Sequence, residues 1–150
     1  MEAFMPSRVT PEELERIALE KVPFMGQLGS RIEALDAGTV RVRLPFHQDF
    51  LRPGGTVQGP VLMGLADLAM YYAVLSLIGP VELALTINLN CNFLRRPVPG
   101  DVIAEGRILK LGKRLAVGEV ALYSDGDPEM VAHVTATYSI PPDHAPPLAG

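Results

Sequence analysis

The chain has no tryptophan, one cysteine and few aromatic residues, 6% in all. A lone Cys91 cannot form an internal disulfide, which excludes the disulfide-stapled secreted class and suits a reducing cytoplasm. Charge is scarce too, at 20% of residues, with 13 Lys and Arg against 17 Asp and Glu. The resulting net charge of −4 leaves no basic surface to attract nucleic acid. Met1 to Arg8 lacks a basic start followed by an apolar run, so no signal peptide is expected. What is abundant is apolar: 48% of the 150 residues, too many for a disordered chain and enough for one domain. Mean hydropathy is above zero, at +0.22. Such a chain either crosses a membrane or buries more surface than a small monomer needs.

The run Gly59 to Gly79, GPVLMGLADLAMYYAVLSLIG, poses that choice. Its length suits a membrane span of about 20 residues. Asp67 sits at its centre, where an ionised carboxylate is costly in lipid, and no Lys or Arg flanks either end. A helix apolar on every side is instead expected to be buried on every side, as a core helix.

The rest of the chain reads as amphipathic structure around that helix. Thr10 is a candidate N-cap for a short surface helix over Pro11 to Val22, with Pro in its first turn and acids early. Leu28 to Leu35 reads as a strand and Asp36-Ala37-Gly38 as a turn. Thr39 to Leu44 alternates, with Val40, Val42 and Leu44 on one face and Arg41 and Arg43 on the other. A polar loop through Gly55 follows. After the long helix, Leu83, Leu85, Ile87, Leu89, Cys91 and Phe93 share one strand face, and Thr86 and three asparagines the other. Asp101 to Leu111 and Arg114 to Tyr123 form a hairpin through Gly112-Lys113, and Met130 to Ile140 is the last strand. Small residues on these strands (Ala104, Gly106, Ala116, Gly118, Ala132, Ala136) would let a helix approach closely. One α+β domain is expected over 1–150, with a curved antiparallel sheet wrapped around the long central helix. Residues 1–10 would form an N-terminal arm, and 141–150, with four prolines, a loose tail.

Asp67 is the chemically informative residue. Helical spacing puts Met63, Gly64, Met70, Tyr71 and Val74 on its stripe, so the carboxylate loses hydration. That favours a general base or nucleophile; it equally fits a structural carboxylate satisfied by the Tyr71 hydroxyl or a backbone group. The segment Gly55-Thr56-Val57-Gln58-Gly59-Pro60 leads into the first turn, whose unpaired N–H groups and helix dipole can hold an oxyanion. It is equally an ordinary helix start with a proline at its first position. Asp67 lies roughly 12 Å further up the axis at 1.5 Å per residue. It cannot serve a carbonyl at its own helix start by adjacency, but it can act across a two-fold axis toward a second subunit's helix.

Three segments carry a family resemblance: GTVQGPVLMGLADLAMYYA, INLNCNFLRRPVPGD and the hairpin Gly112-Lys113-Arg114. From about Gly29 to Ile140 the chain resembles the hot-dog-fold acyl-CoA thioesterases, in the branch of the phenylacetate-pathway and 4-hydroxybenzoyl-CoA thioesterases. The resemblance implies a hot-dog homodimer, often paired again to a tetramer, with active sites at the dimer interface. It implies that Asp67 activates water or attacks the thioester, that the Gly59 N–H polarises its carbonyl, and that Thr86 from the partner chain helps hold the water. A regular strand would turn Thr86 away from the apolar face, so that role needs a bulge. The sequence departs from the family pattern at three places. Gln58 stands for the motif's His and can hydrogen-bond substrate or fix the loop. Pro60 stands for its second Gly, and Arg52 for an Asn or Gln; an arginine there can pair with Asp67 and quench it.

Coenzyme A, as part of the substrate, needs a basic rim, for which Arg95, Arg96, Lys113 and Arg114 are candidates, although each also reads as a solvated surface charge. No separate cofactor or metal is expected, since His47, His133 and His144 lack ligand spacing. Cys91 reads as an inert core thiol. The expected activity is hydrolysis of an acyl-CoA to the free acid and CoA by a cytoplasmic enzyme with no membrane or nucleic-acid partner. The alternatives are a non-catalytic acyl-CoA or fatty-acid binding module and a 3-hydroxyacyl-thioester dehydratase, which would need a His beside the carboxylate.

Overall fold

The computed structural model describes residues 6–142. The expected tail from 143 onward, His144 within it, and the first five residues of the expected arm lie outside the described residues. Helix α1 (Pro11–Lys21) starts at a full capping box: Thr10 Oγ1 accepts the Glu13 N–H at 3.1 Å, and the Glu13 carboxylate accepts the Thr10 N–H at 3.2 Å. Its buried stripe is Leu14, Ile17 and Ala18. A further turn, α2 (Pro23–Gly26), has no counterpart in the sequence reading. It folds back so closely that a Cβ on Gly26 would lie 2.7 Å from the Ala18 carbonyl oxygen.

Six strands form one antiparallel sheet: β1 (Arg31–Asp36), β2 (Thr39–Leu44), β5 (Leu85–Phe93), β6 (Val102–Leu111), β7 (Leu115–Ser124) and β8 (Met130–Ser139). Their order is β1-β2-β6-β7-β8-β5, so β1 and β5 are the edges. The expected polar loop after β2 holds a 3-10 turn (Gln48–Phe50) and a small ladder of β3 (Leu51–Arg52) with β4 (Thr56–Val57). The first strand starts at Arg31 rather than Leu28, because Leu28 and Gly29 still close the turn after α2.

Helix α3 (Gly59–Ile78) is the long apolar segment, and it is a core helix, buried without a break from Leu68 to Ser76. The strands approach it where they carry small residues. A Cβ on Gly118 would lie 2.7 Å from Met70 Sδ, and one on Gly106 would lie 3.6 Å from the Ala69 carbonyl oxygen. Each large side chain buried there contributes roughly 1.5–3 kcal/mol, so helix and concave sheet face hold each other. Ser76, in this apolar stretch, donates to the Ala73 carbonyl at 2.6 Å and accepts the Gly38 N–H at 2.8 Å. That bond pins the β1–β2 turn, where Gly38 has φ of 85°, to the helix.

Strand β5 departs from the expected alternation. Its register against β8 slips between Thr86 and Asn88, leaving Ile87 as a bulge. Leu89, Cys91 and Phe93 stand opposite Ala136, Val134 and Ala132, on the concave face. Beyond the bulge Thr86 stands opposite Tyr138 and turns inward, whereas Leu85 and Ile87 are 64% and 54% exposed. The single apolar face expected for this strand is therefore broken at Ile87. Cys91 is partly buried, and burial pushes its thiol pKa up, consistent with an inert thiol.

Candidate active site

Asp67 projects from α3 into an apolar cleft of about 380 Å³, whose walls include Met25, Leu68, Tyr71, Leu85, Thr86 and Tyr138. It is half-buried, so the carboxylate touches both core and cleft. Its Oδ1 accepts two short hydrogen bonds, from Thr86 Oγ1 and from the Tyr138 hydroxyl, each at 2.7 Å. Tyr138 OH also lies 3.0 Å from the Asp67 carbonyl oxygen. Among the described residues Oδ2 has no hydrogen-bond partner. Because no buried side-chain oxygen among the described residues is left unpartnered, Oδ2 is open to the cleft.

The β5 bulge brings Thr86 inward to Asp67 of its own chain, where the family resemblance places the partner's threonine beside the site. The expected partner phenol is corrected: Tyr71 donates to the Glu82 carbonyl at 3.0 Å, and Tyr138 reaches the carboxylate. Tyr138 reads in sequence as one more apolar-face residue of β8. It is on that face and 3% exposed, yet its hydroxyl arrives over α3. Burial, and then the Asp67 charge, push the Tyr138 pKa far above the ordinary phenol value; burial pushes Tyr71 up to about 12.

The helix start forms a second cleft, of about 730 Å³, lined by Arg52, Gly59, Met63, Phe93, Arg95 and Arg96 among others. The two clefts share no lining residue. The Gly59 N–H finds no acceptor among the described residues, and Pro60 supplies none to compete with it. The Phe93 ring covers Gly59 so closely that a Cβ there would lie 3.2 Å from it. Gln58 Nε2 donates to the Asp49 carbonyl at 3.2 Å, so this side chain fixes the loop. Arg52 is exposed and forms no ion pair with Asp67, which removes the expected quenching within one chain.

The basic candidates divide between the ends of the sheet. Arg95 is held by Glu129, while Arg96 lines the cleft with no ion pair among the described residues. Lys113 and Arg114 are exposed in the β6–β7 hairpin, at the end of the sheet where Leu115 and Leu85 both stand opposite Ser139. His133 pairs with Glu119 at 2.8 Å on the outer face, and His47 caps the Gln48 turn; neither lines the Asp67 cleft. Among the described residues no cluster of His, Cys, Asp and Glu is placed to hold a metal.

Comparisons with known proteins agree on the fold. A family model described as the thioesterase superfamily matches residues 54–131, more than half of the chain and including Gly59, Asp67 and Thr86. A candidate esterase of Saccharolobus solfataricus is 32% identical over 113 residues, covering 75% of this chain and 74% of that protein. The crystal structure of a candidate thioesterase from a Silicibacter species superposes with a TM-score of 0.82 at 41% identity, over 92% of this chain and 96% of that one. A variant of the phenylacetic acid degradation protein PaaI from Thermus thermophilus superposes with a TM-score of 0.70 at 30% identity, over 79% of this chain and 99% of that one.

Proposed function

The chain belongs to the thioesterase superfamily, with the hot-dog fold, and on that premise we propose that it hydrolyses an acyl-CoA thioester. Water adds across the C–S bond, giving the free acid and the CoA thiol. Asp67 either takes the proton of the attacking water or attacks the carbonyl itself, forming an anhydride that water then opens. The Gly59 N–H holds the oxyanion, with the positive end of the helix dipole behind it. The observation that carries this reading is the Asp67 carboxylate itself, fixed at one oxygen and free at the other inside an apolar cleft.

The reading needs a second copy of the chain. Gly59 and Asp67 are two turns apart on one helix and open into separate clefts. Strand β5 runs between the two ends, from Leu85 beside the Asp67 cleft to Phe93 over Gly59, and it is a sheet edge with exposed apolar residues. Antiparallel pairing of two β5 edges sets the Leu85 end of one chain beside the Phe93 end of the other. Asp67 then faces the Gly59 of its twin, and Lys113 and Arg114 approach the twin's Arg95 and Arg96 as a common rim for CoA phosphates. Edge pairing also covers strand groups otherwise open to aggregation. Sedimentation equilibrium distinguishes this dimer from a monomer and from a further pairing into tetramers.

A thiol-release assay across short, long and aromatic acyl-CoAs, run beside Asp67→Asn, tests the activity. The variant should lose 10²–10⁴-fold in rate, about 3–5 kcal/mol, while circular dichroism stays unchanged. Full activity in Asp67→Asn overturns the mechanism. Gln58, which stands for the motif's His and is tied to the loop through Nε2, favours a second reading, an acyl-CoA binding module. Tight binding by calorimetry without thiol release would establish that one. The dehydratase alternative has no histidine among the described residues of the Asp67 cleft to support it.

A further inference from the structure

We infer that Tyr138 is a positioning residue: with Thr86 it locks Oδ1 of Asp67 in place and leaves Oδ2 as the oxygen that reacts. This rests on the proposed hydrolysis and specifies which atom performs it. A carboxylate oxygen offers two in-plane lone pairs, and on Oδ1 both are engaged by hydroxyls at 2.7 Å. A proton or an acyl carbon arriving at Oδ1 would have to displace one of these charge-assisted bonds. Oδ2 carries no such bond and opens to the cleft. As a base, Asp67 therefore receives the water proton on Oδ2; as a nucleophile it attacks through the same atom.

The two donors are not equivalent. Thr86 stands on an edge strand beside a bulge and is half-buried, whereas Tyr138 lies inside the sheet on β8 at 3% exposure. The phenol proton points to the charged acceptor at 2.7 Å, and the 3.0 Å approach to the Asp67 carbonyl sets the ring against the same turn of α3. Because its own ionisation is pushed well up, the phenol remains a donor across the working range and cannot act as a base. Tyr71 offers no substitute, since its proton is given to Glu82. The remaining titratable groups lining this cleft are Lys21 and Glu82, and neither hydrogen-bonds the carboxylate.

The test compares Tyr138→Phe, Thr86→Val, Thr86→Ser and Asp67→Asn on the full-length chain with one acyl-CoA. Phenylalanine keeps the ring that packs in the core, so the melting temperature should stay close to that of the parent. We expect kcat to fall about tenfold in Tyr138→Phe with KM little changed. Removing a donor favours the protonated carboxyl, so the acidic limb of the pH–rate profile should move to higher pH. Thr86→Val should shift the limb in the same direction, and Thr86→Ser should restore it. An unchanged kcat and acidic limb in Tyr138→Phe, with Asp67→Asn inactive, overturns the positioning role alone. An Asp67→Asn variant as active as the parent overturns the hydrolytic reading beneath it.

Discussion

In the proposed hydrolysis, the two ends of α3 prepare opposite halves of the reaction in opposite ways. At the start of the helix the useful groups are backbone N–H and exposed arginine, on a glycine-bearing loop that Gln58 ties to the Asp49 carbonyl and Asp101 ties at the Phe46 N–H. Two turns on, the useful group is a carboxylate held from two strands by short bonds to buried or half-buried hydroxyls. The first end can stabilise negative charge but has no base. The second has a base but no donor aimed at an oxyanion. On that proposal, a fixed carboxylate and an anion-binding loop make a working pair when they come from different chains, because one helix holds its own pair roughly 12 Å apart.

That division can be broken outright by complementation. Gly59→Pro removes the N–H at a first-turn helix position, the Phe93 ring giving way to the added Cβ, and loss of one oxyanion donor typically costs 10²–10³-fold. Asp67→Asn removes the other half. Each pure variant should be nearly inactive. If sites are built across a two-fold axis, co-refolding equal amounts should restore about a quarter of the parental rate, because half of the dimers then carry one intact site. No recovery in mixtures shown to exchange subunits would place both halves within one chain.

A smaller effect sharpens the comparison at the rim. Arg96 lines the helix-start cleft without an ion-pair partner among the described residues, while Arg95 is held by Glu129. Arg96→Glu should raise KM for an acyl-CoA several-fold with kcat nearly unchanged, and the difference should shrink at high salt. Arg95→Ala should do less. Equal effects on an acyl thioester lacking the nucleotide would show that the arginine does not meet phosphate.

The sequence carries the scaffold more fully than the site. The α3 run, the alternation of β2 and the β6–β7 hairpin are periodic signals that burial enforces, and each forms where expected. Gly59 and Asp67 stand out because a glycine at a helix start and an acid in an apolar run break those patterns. Thr86 needed the family resemblance, since no residue around Ile87 announces a bulge and the alternation assigned it to the wrong face. Tyr138 obeyed its pattern and so gave no signal. Its hydroxyl acquires a role only when β8 is laid across α3, a tertiary fact that period two does not encode. The α2 turn escaped for a similar reason, four residues being too few for a helical period.

The smallest expected effect separates the two ends by how they are secured. The Phe46 N–H is bound by Asp101, which with Asp125 and Glu33 surrounds the Arg43 guanidinium on the outer face. Phe46 leads the loop that ends at Gly59, so this exposed cluster supports the helix-start end. The Arg43 guanidinium holds the carboxyls of Glu33 and Asp125 below their ordinary values, with Arg41 aiding at Glu33. A depressed folded pKa gives stability that is complete above the unfolded value, near 4, and lost as pH falls through the folded one. Exposed pairs of this kind are individually weak and screened by salt. Acidification below about pH 4 should therefore lower amide protection in residues 46–58 by a few-fold before it affects Thr86 or Tyr138. Arg43→Gln should produce the same local loss at neutral pH, read by hydrogen exchange corrected for intrinsic rates. Simultaneous loss at both ends would mean that the buried hydroxyl bonds, rather than the surface cluster, set the stability of the helix-start loop.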